Sequence, residues 1–441
     1  MRYASFPPPA FAPRILALAN LLLGISLVSA DDWPQWLGPK RDGIWRETGI
    51  VDRFPAGGPP VRWRVPIGRG YAGPSVAGDR VYLTDRETRD GVSRERVLAL
   101  DDAGGRVVWK QEYECAYSVS FPAGPRVAPL VADGKVYTLG AEGNLRCLAA
   151  KDGTLIWAHD LKRELGAKAP MWGFAGHPLL DGNRLICLAA GAGSTAIAFD
   201  RETGRELWRA LSPAEPGYSS PMMIEAGGCR QVVFWHADGA VSLDPATGRE
   251  YWSVPFKSNM GLSVASPRRE GEFLFFTSFY NGALMLKLDP SRPGVTTAWR
   301  TEKAGEKDTT HLNAIIPTPF LEDGMIYGIC SYGQLRGLKA ATGERVWETF
   351  AATSGGSPVR WGNAFLVKHA DRFFIFNEKG DLIIAHLLPQ GYEELSRAHL
   401  IDPVNHDAGR PVVWSHPAFA HRRVYVRNDK EIVCADLAAG K

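Results

Sequence analysis

The chain contains 441 residues, of which 45% are hydrophobic and 22% are charged, and its 51 Lys and Arg nearly balance its 48 Asp and Glu. A formal net charge of +3 is too small to predict binding to nucleic acid or to an anionic membrane surface. The 47 Gly, 31 Pro and 14 Trp are typical of all-β chains, which need many turn residues and pack aromatic side chains between sheets.

Residues 1–30 have the features of a secretory signal peptide. Arg2 and Arg14 precede an apolar run at 15–28, and small residues follow it at Ser29 and Ala30. The run is too short and wrongly flanked for a membrane span. No Cys stands directly after the predicted cleavage site, which argues against a lipid-anchored form. We therefore predict an exported, soluble protein of the periplasm or the extracellular space, with no transmembrane segment after cleavage.

Residues 31–60 form the next predicted segment. It is rich in Pro and Gly and carries two Trp, Trp33 and Trp36, close together. Such a stretch does not have the period of a strand or a helix. We interpret it as an irregular clasp that is pinned across the rest of the fold by packing, rather than as a ligand site.

From residue 61 to 441 the chain repeats one phrase: the end of a strand, a short turn closed by Gly, three residues and then Trp. In one copy Asp200 begins the turn, Gly204 closes it and Trp208 follows. From Trp109 onwards, successive Trp of the phrase lie 48, 51, 44, 47 and 48 positions apart. A period of about 40–50 residues predicts the four-stranded blades of a β-propeller. We expect seven Trp to dock one blade on the next: Trp63, Trp109, Trp157, Trp208, Trp252, Trp299 and Trp347.

The two ends of this region are complementary. Trp63 lies in a short strand that no turn phrase precedes, whereas residues 434–440 have the turn spacing but no strand after them. Pairing the spare N-terminal strand with the C-terminal unit would close the ring and leave no exposed sheet edge. The sequence therefore predicts that strand 61–65 completes the last blade.

The repeated phrase resembles the tryptophan-docking motif A-x-D-x-x-T-G-x-x-x-W of the pyrroloquinoline-quinone (PQQ)-like β-propellers. The resemblance covers nearly all of residues 61–441 and implies an all-β, eight-bladed propeller of four-stranded antiparallel blades. Eight inner strands are predicted to start after a Pro: Pro74, Pro129, Pro178, Pro221, Pro267, Pro319, Pro358 and Pro417.

The loops that lead into the inner strands are expected to meet at one mouth of the central channel, where ligand sites of this fold class lie. These loops are rich in aromatic residues, His and Arg and poor in carboxylates close to a strand start. Such a mouth suits a neutral or anionic group held by stacking and charge-assisted donors. The alternative is that the same side chains only plug the channel. The candidate ligand-binding residues are Arg69, Tyr71, Arg126, Trp172, Phe174, His177, Tyr218, His311, Asn313, Trp414 and His416.

No catalytic or metal-binding motif is predicted. His177, His311 and His416 come from three different units, so no spacing supports a zinc or copper site. The six Cys include no C-x-x-C pair. Serines near the mouth lack the G-x-S-x-G context of a nucleophile.

The resemblance implies two classes of function. Quinoprotein alcohol and sugar dehydrogenases of this fold hold PQQ and Ca²⁺ at the mouth through Glu, Asn and Asp, and their alcohol-oxidising branch has adjacent Cys residues, which this chain lacks. The second class is the non-catalytic, BamB-like periplasmic lipoprotein that assists outer-membrane β-barrel assembly. We predict a monomeric, BamB-like binding or scaffolding propeller with no cofactor and a protein or small-ligand partner at the channel face. The alternatives are a PQQ- and Ca²⁺-dependent oxidoreductase and a carbohydrate- or peptide-binding module.

Overall fold

A computed structural model describes Met1 and residues 31–407 and 409–440 of the chain. The predicted signal peptide therefore lies outside the described residues, except for Met1. The described chain forms eight four-stranded antiparallel sheets, arranged as the blades of one propeller. The prediction of an all-β, eight-bladed propeller is confirmed.

Within each of blades 1 to 7, the four strands follow one another in the chain. The first strand, β1 (Val61–Pro66), belongs to blade 8 instead. Blades 1 to 4 contain in turn β2 (Ser75–Ala77), β3 (Arg80–Arg89), β4 (Val92–Asp101) and β5 (Val107–Glu114); β6 (Leu130–Ala132), β7 (Lys135–Leu139), β8 (Asn144–Ala149) and β9 (Leu155–Asp160); β10 (Leu179–Asp181), β11 (Arg184–Leu188), β12 (Ala196–Asp200) and β13 (Glu206–Ala210); β14 (Met222–Ala226), β15 (Cys229–His236), β16 (Gly239–Leu243) and β17 (Glu250–Pro255).

The remaining blades have the same plan, with a two-stranded hairpin inserted before the last one. Blades 5 to 7 contain β18 (Arg268–Glu270), β19 (Phe273–Ser278), β20 (Gly282–Leu288) and β21 (Val295–Arg300); β22 (Phe320–Glu322), β23 (Met325–Ile329), β24 (Leu335–Lys339) and β25 (Arg345–Thr349); β26 (Ala364–His369), β27 (Arg372–Asn377), β28 (Asp381–Leu388) and β29 (Gly391–His399). The hairpin is β30 (Asn405–Asp407) and β31 (Arg410–Val412), and blade 8 contains β32 (Ala418–Ala420), β33 (Arg423–Arg427), β34 (Glu431–Asp436) and β1.

Among the described residues, helix is confined to short segments in the loops. The helix α1 (Leu161–Leu165) follows β9 and is capped by the Asp160 carboxylate, which accepts from the Arg163 backbone N–H. A single 3₁₀ turn spans Asn259–Gly261. Within the described part of the chain, no helix has the length and apolar character needed to cross a membrane.

The repeated Trp joins each blade to its neighbour. In the outer strands β9 and β17 the Trp is the buried side chain while most of its neighbours face solvent. Six of the seven indole N–H groups donate to a backbone carbonyl in or near the last turn of the next blade, at 2.8–3.1 Å: Trp63 to Asp102, Trp109 to Ala150, Trp157 to Arg201, Trp208 to Pro245, Trp299 to Ala340 and Trp347 to Leu388. Trp252 donates instead to the Gln231 side chain, because the facing turn of blade 5 is the longer, Pro-containing one.

The Gly of the phrase is required for two reasons. Gly204 has a φ of +74°, which side chains rarely tolerate. A Cβ placed on it would lie 2.8 Å from the Trp157 ring, closer than real carbon contacts. Gly248 has the same relation to Trp208, at 2.6 Å. The turn is therefore both the end of one hairpin and the seat for the neighbouring indole.

The ring closes as the sequence predicts. β1 pairs antiparallel with β34, with Trp63 opposite Cys434 and Val65 opposite Ile432. The Trp63 indole then docks on the last turn of blade 1, as the other docking Trp do on their neighbours. Asp102 in this turn also receives a hydrogen bond from Tyr425 and a salt bridge from Arg423. The strand pairing and this polar cluster join the two ends of the propeller.

Seven of the eight predicted inner strands start directly after their Pro, from β2 after Pro74 to β32 after Pro417. The prediction is wrong for blade 7. There Pro358 lies in a loop, and β26 begins six residues later at Ala364. The intervening residues carry Trp361 in a left-handed conformation, with a φ of +61°, so the chain turns once more before it becomes extended.

The segment 31–60 crosses one face of the propeller and contacts blades 1, 7 and 8, among others. Trp33 exchanges backbone hydrogen bonds with Val76 of β2 (2.9 Å each), and the Trp45 backbone N–H donates to Lys368 of β26 (2.8 Å). Ile50 forms a bridge with Ala438 beyond β34. Because the segment contacts the first and the last blades, it reinforces the seam from one face.

Replacing Trp63 tests the closure. We expect Trp63→Ala to lower the free energy of unfolding by about 3–5 kcal/mol, because its buried ring leaves an unfilled space on blade 1. Trp208→Ala, in the middle of the chain, should cost about the same, since both rings are 7% exposed and dock in the same way. Denaturant unfolding followed by circular dichroism measures both. If Trp63→Ala had nearly the wild-type free energy of unfolding, closure of the ring through Trp63 would be contradicted.

His421 makes the seam sensitive to pH. Its ring contacts the carboxylates of Asp102 (2.9 Å) and Asp32 (3.3 Å), with Arg423 also on Asp102. Hydrogen bonds to Asp102 and Asp32 raise the pKa of His421 to about 9. Because this pKa exceeds the ordinary value of 6.5, the contribution of His421 to the stability of the folded protein is fully present below pH 6.5. It is lost as the pH rises through about 9.

We expect His421→Asn to flatten the dependence of unfolding free energy on pH between 6.5 and about 9.5. Denaturant unfolding at half-unit pH steps measures this slope. His386→Asn is the matched control, since His386 contacts only the Asp371 carbonyl oxygen among its described neighbours (3.0 Å). If both variants keep the wild-type slope, the proposed role of His421 at the seam is contradicted.

Candidate functional site

The mouth of the channel holds a cavity of about 420 Å³, which we call the cup. It is open at one end, and most of its walls come from the loops that lead into the inner strands, with Trp36 added from the clasp and Tyr280 from the turn between β19 and β20. Among the described residues that line it, none is Asp or Glu. Its lining is Trp36, Tyr71, Phe121, Arg126, Trp172, Ala175, His177, Tyr218, Ser220, Met260, Leu262, Val264, Tyr280, Ile315, Ile316, Arg360, Trp361, Phe365, Trp414 and His416.

Seven of the eleven predicted mouth residues line the cup. They are Tyr71, Arg126, Trp172, His177, Tyr218, Trp414 and His416. They reach it from different blades, and each stands a few residues before the inner strand of its blade. The repeat period brings them together, although they are far apart in the chain.

The other four predicted residues lie outside the cup. Arg69 is exposed and pairs with Asp429 (3.4 Å). Phe174 is buried beneath the turn at Gly143 and packs in the core between blades 2 and 3. His311 stacks on the docking Trp299, with ring centroids 5.2 Å apart. Asn313 is fully buried and donates to the Phe279 carbonyl oxygen (3.0 Å).

The floor of the cup is a layer of Trp36, His177 and His416. Trp36 belongs to the clasp, and its ring stacks on His177 with centroids 4.8 Å apart. The His177 and His416 rings meet edge to face at 5.6 Å. Burial lowers the pKa of His416 to about 4, and burial, followed by His416 and Arg41, lowers that of His177 well below 6.5. Both rings are therefore neutral at pH 7 and form an uncharged floor.

Arg126 is the most enclosed charge of the wall. Its guanidinium donates to the carbonyl oxygens of Trp172 (2.9 Å), Ser120 and Phe121 (2.8 Å each) and lies 5.2 Å from the centre of the Tyr71 ring. Burial lowers its pKa. No carboxylate contacts it among the described residues, so the cup has a positive wall.

Two other polar contacts lie at the edge of the cup. The Trp414 indole N–H donates to Glu378 (3.0 Å), whose carboxylate is also paired with Arg410 (3.0 Å). Arg360 covers the Trp361 ring at 4.2 Å and pairs with Glu306. These carboxylates are occupied by arginines and do not line the cavity. The interior remains aromatic.

Three bulky residues of the cup have left-handed backbones. Phe121, Met260 and Trp361 have φ values of +53°, +57° and +61°. Such residues cost about 1–3 kcal/mol each and concentrate at ligand clamps. The three come from three different loops, and the strained backbone directs each apolar side chain to the mouth. The sequence does not predict these conformations, because nothing in the local sequence indicates a positive φ for residues of these types.

The donor set of the cup does not fit Ca²⁺, and hence does not fit the pair of PQQ and Ca²⁺. Calcium takes six to eight oxygen ligands, including carboxylates. The described lining offers hydroxyls, indoles, guanidiniums and two neutral imidazoles. Among all the residues that the structure describes, no three His, Cys, Asp or Glu side chains are grouped as metal ligands would be.

Comparison with known proteins places these features in context. The family model of "Outer membrane protein assembly factor BamB" matches residues 93–314 and 296–441. The chain is 26% identical over 241 residues to the BamB of Burkholderia pseudomallei (strain K96243), covering 52% of this chain and 56% of that protein. It is 24% identical over 243 residues to quinohemoprotein alcohol dehydrogenase ADH-IIG of Pseudomonas putida, covering 51% of this chain and 32% of that enzyme.

Two solved structures have the same fold. BamB from Moraxella catarrhalis superposes with a TM-score of 0.57 at 16% identity, over 86% of this chain and 98% of that one. Quinohemoprotein alcohol dehydrogenase from Comamonas testosteroni gives 0.60 at 14% identity, over 93% and 81%. At these identities the structures establish the propeller alone. The matched stretches span about a half and a third of the two curated relatives named above.

Proposed function

Because the chain belongs to the family of outer membrane protein assembly factor BamB, we propose that it is an exported, non-catalytic propeller that holds a partner protein at the cup. The relatives with this name are assembly factors, which supports a protein as the partner class. We place the protein in the periplasm or outside the cell. One observation carries the proposal: the mouth of the channel is an aromatic cup with no carboxylate among its described lining residues.

The size and shape of the cup suit side chains of a partner. A cavity of about 420 Å³ that is open to solvent has room for two or three large apolar side chains. Aromatic walls gain from burying such groups at about 25 cal/mol per Å² of apolar surface. A flexible peptide segment that inserts an aromatic residue would fill this space.

The rim extends the apolar surface beyond the cup. Met171, next to Trp172 in the chain, and Met260 are 53% and 55% exposed, and they are among the most exposed large hydrophobic side chains of the described residues. Methionine is flexible and polarisable, which suits contact surfaces that adapt to different partners. An exposed Met260 held in a left-handed conformation does not stabilise the folded protein, so its placement favours a role in binding.

Extended peptides of equal charge, differing only in a central Phe, Trp or Ser, test the proposal. We expect the aromatic peptides to bind about tenfold or more tightly than the Ser peptide, because one large side chain leaves water. Met260→Gly and Trp172→Ala should both weaken this binding. Met260→Gly should change the free energy of unfolding by less than about 1 kcal/mol, because relief of the strained backbone offsets the looser unfolded chain.

Fluorescence anisotropy measures these affinities, and denaturant unfolding measures the stability. Leu211→Gly is the matched control, since Leu211 is also apolar with a left-handed backbone (φ +72°) but does not line the cup. It should leave peptide binding unchanged. Equal binding of the Phe and Ser peptides, or full binding by Met260→Gly, would contradict the proposal.

We also propose that the protein works without PQQ and Ca²⁺. The lack of carboxylates in the described lining of the cup supports this. Titration with PQQ in the presence of Ca²⁺, followed by absorbance and by dye-linked oxidation of alcohols and sugars, should give no binding and no turnover. Turnover that Trp172→Ala abolishes would instead establish the oxidoreductase alternative.

A further inference from the structure

A second cavity lies at the other end of the channel, between the clasp and the later parts of the inner strands. We call it the clasp-side chamber; its volume is about 540 Å³. Its walls are clasp residues 35–37, 39–42 and 44 and the inner strands of blades 2 to 6. Trp36 lines both the chamber and the cup, so this ring separates the two.

Arg41 carries one positive charge into this chamber. Its guanidinium donates to the carbonyl oxygens of Pro178 (2.7 Å), His177 (3.2 Å) and Pro221 (3.4 Å), and to the Gln35 side chain (3.3 Å). None of these partners is charged. Arg41 therefore fixes the clasp to blades 3 and 4 and leaves its own charge uncompensated by any carboxylate of the described chain.

Arg268 carries a second charge and has donors to spare. Its Nη2 donates to the Asp42 carbonyl oxygen (2.7 Å), and its guanidinium lies 4.6 Å from the centre of the Phe320 ring. Within the described part of the chain its Nε and Nη1 have no hydrogen-bond partner, and no carboxylate is close enough for a salt bridge. Two guanidinium groups thus face one chamber, and neither forms a salt bridge with a described carboxylate.

Four carboxylates line the chamber, and three of them are already engaged. Asp42 is paired with Arg46, and Glu322 is paired with Lys368. Glu270 accepts from the backbone N–H groups of Asp323 and Gly324. The charges of Asp42 and Glu322 partly offset the effect of burial on the pKa of Arg268, but neither carboxylate forms a salt bridge with it. Asp323, the fourth carboxylate of the lining, is exposed.

Ser266 supplies an independent indication of a ligand. The residue is only 8% exposed, it lines the chamber, and its Oγ has no hydrogen-bond partner among the described residues. A buried hydroxyl without a partner costs stability. Ser266 lies two residues before Arg268, the first residue of β18, and both residues line the chamber.

We propose that the clasp-side chamber binds a small oxyanion, a phosphate or a carboxylate, through the Ser266 hydroxyl and the free Arg268 donors, with Arg41 as the second positive charge. The anion would accept the hydrogen bonds that these groups lack and would form the direct ion pair that neither guanidinium has. It would also join the clasp to blade 5, since Arg268 already contacts Asp42. This inference does not rest on the proposed function of the cup.

The electrostatics of the chamber agree with the inference. Burial lowers the pKa of both Arg41 and Arg268 from 12.5 to about 10. Both groups remain charged at pH 7, so the cost of burying the charges is present in the anion-free protein. An anion that binds here offsets that cost, and binding to the folded state alone raises the melting temperature.

Inorganic phosphate and citrate serve as probes for the two forms of oxyanion. In titration calorimetry at constant ionic strength, we expect at least one of them to bind the mature protein with a 1:1 stoichiometry. Ser266→Ala should weaken binding about tenfold while leaving the anion-free melting temperature unchanged or higher, because it removes a hydroxyl without a partner. Arg268→Gln should abolish binding. The probe that binds more tightly distinguishes a phosphate site from a carboxylate site.

Arg249→Gln is the matched control, since Arg249 also covers an aromatic ring, Tyr251 at 5.6 Å, but does not line the chamber. It should bind the anion as the wild type does. The inference is overturned if neither probe binds below about 10 mM, or if Ser266→Ala keeps the wild-type affinity. If the anion also raised the melting temperature of Arg268→Gln, the effect would be general salt stabilisation, and the inference would likewise be overturned.

Discussion

The docking of a tryptophan on the glycine turn of the next blade is the contact on which the rest of the structure depends. A single four-stranded sheet cannot bury both its faces, so the blades are stable only as a ring. The indole covers apolar surface, and its N–H satisfies a carbonyl oxygen of the neighbouring turn, as Trp157 does at Arg201. A left-handed Gly is the residue that allows this approach, which explains why the two residue types recur together. The channel, the cup and the clasp-side chamber exist because these contacts fix the ring.

The fold could be predicted from the sequence because the repeat period, the docking Trp and the unmatched strand at Trp63 are local signals with one geometric solution. Blade 7 shows the limit of this approach. Pro358 has the sequence context of a strand start, but the left-handed turn at Trp361 delays β26 to Ala364. A positive φ on a bulky residue depends on tertiary contacts, and local sequence does not encode it.

The cup was predictable in outline and not in detail. Tyr71, Arg126, Trp172 and Trp414 lie where the repeat register places them, because equivalent loop positions converge on the channel. His311 stands at a comparable position but stacks on Trp299 instead, since the orientation of a side chain is decided by its neighbours and not by register. Trp36 reaches the channel from the clasp, which has no repeat to set its register. Residues from outside the repeat are the ones that such reasoning misses.

The seam between β1 and β34 makes completion of the fold wait for the synthesis of β34. Arg64 and Glu431, which meet across it, are 367 positions apart in the chain. Contacts over such distances form slowly, because a long loop must close before they contribute. Until β34 emerges, β1 has no partner, and an unpaired strand is a template for association with another chain. A nascent chain that halts before β34 can complete seven blades but not the circle, so the vulnerable period of this protein in the cell lasts until β34 has been made.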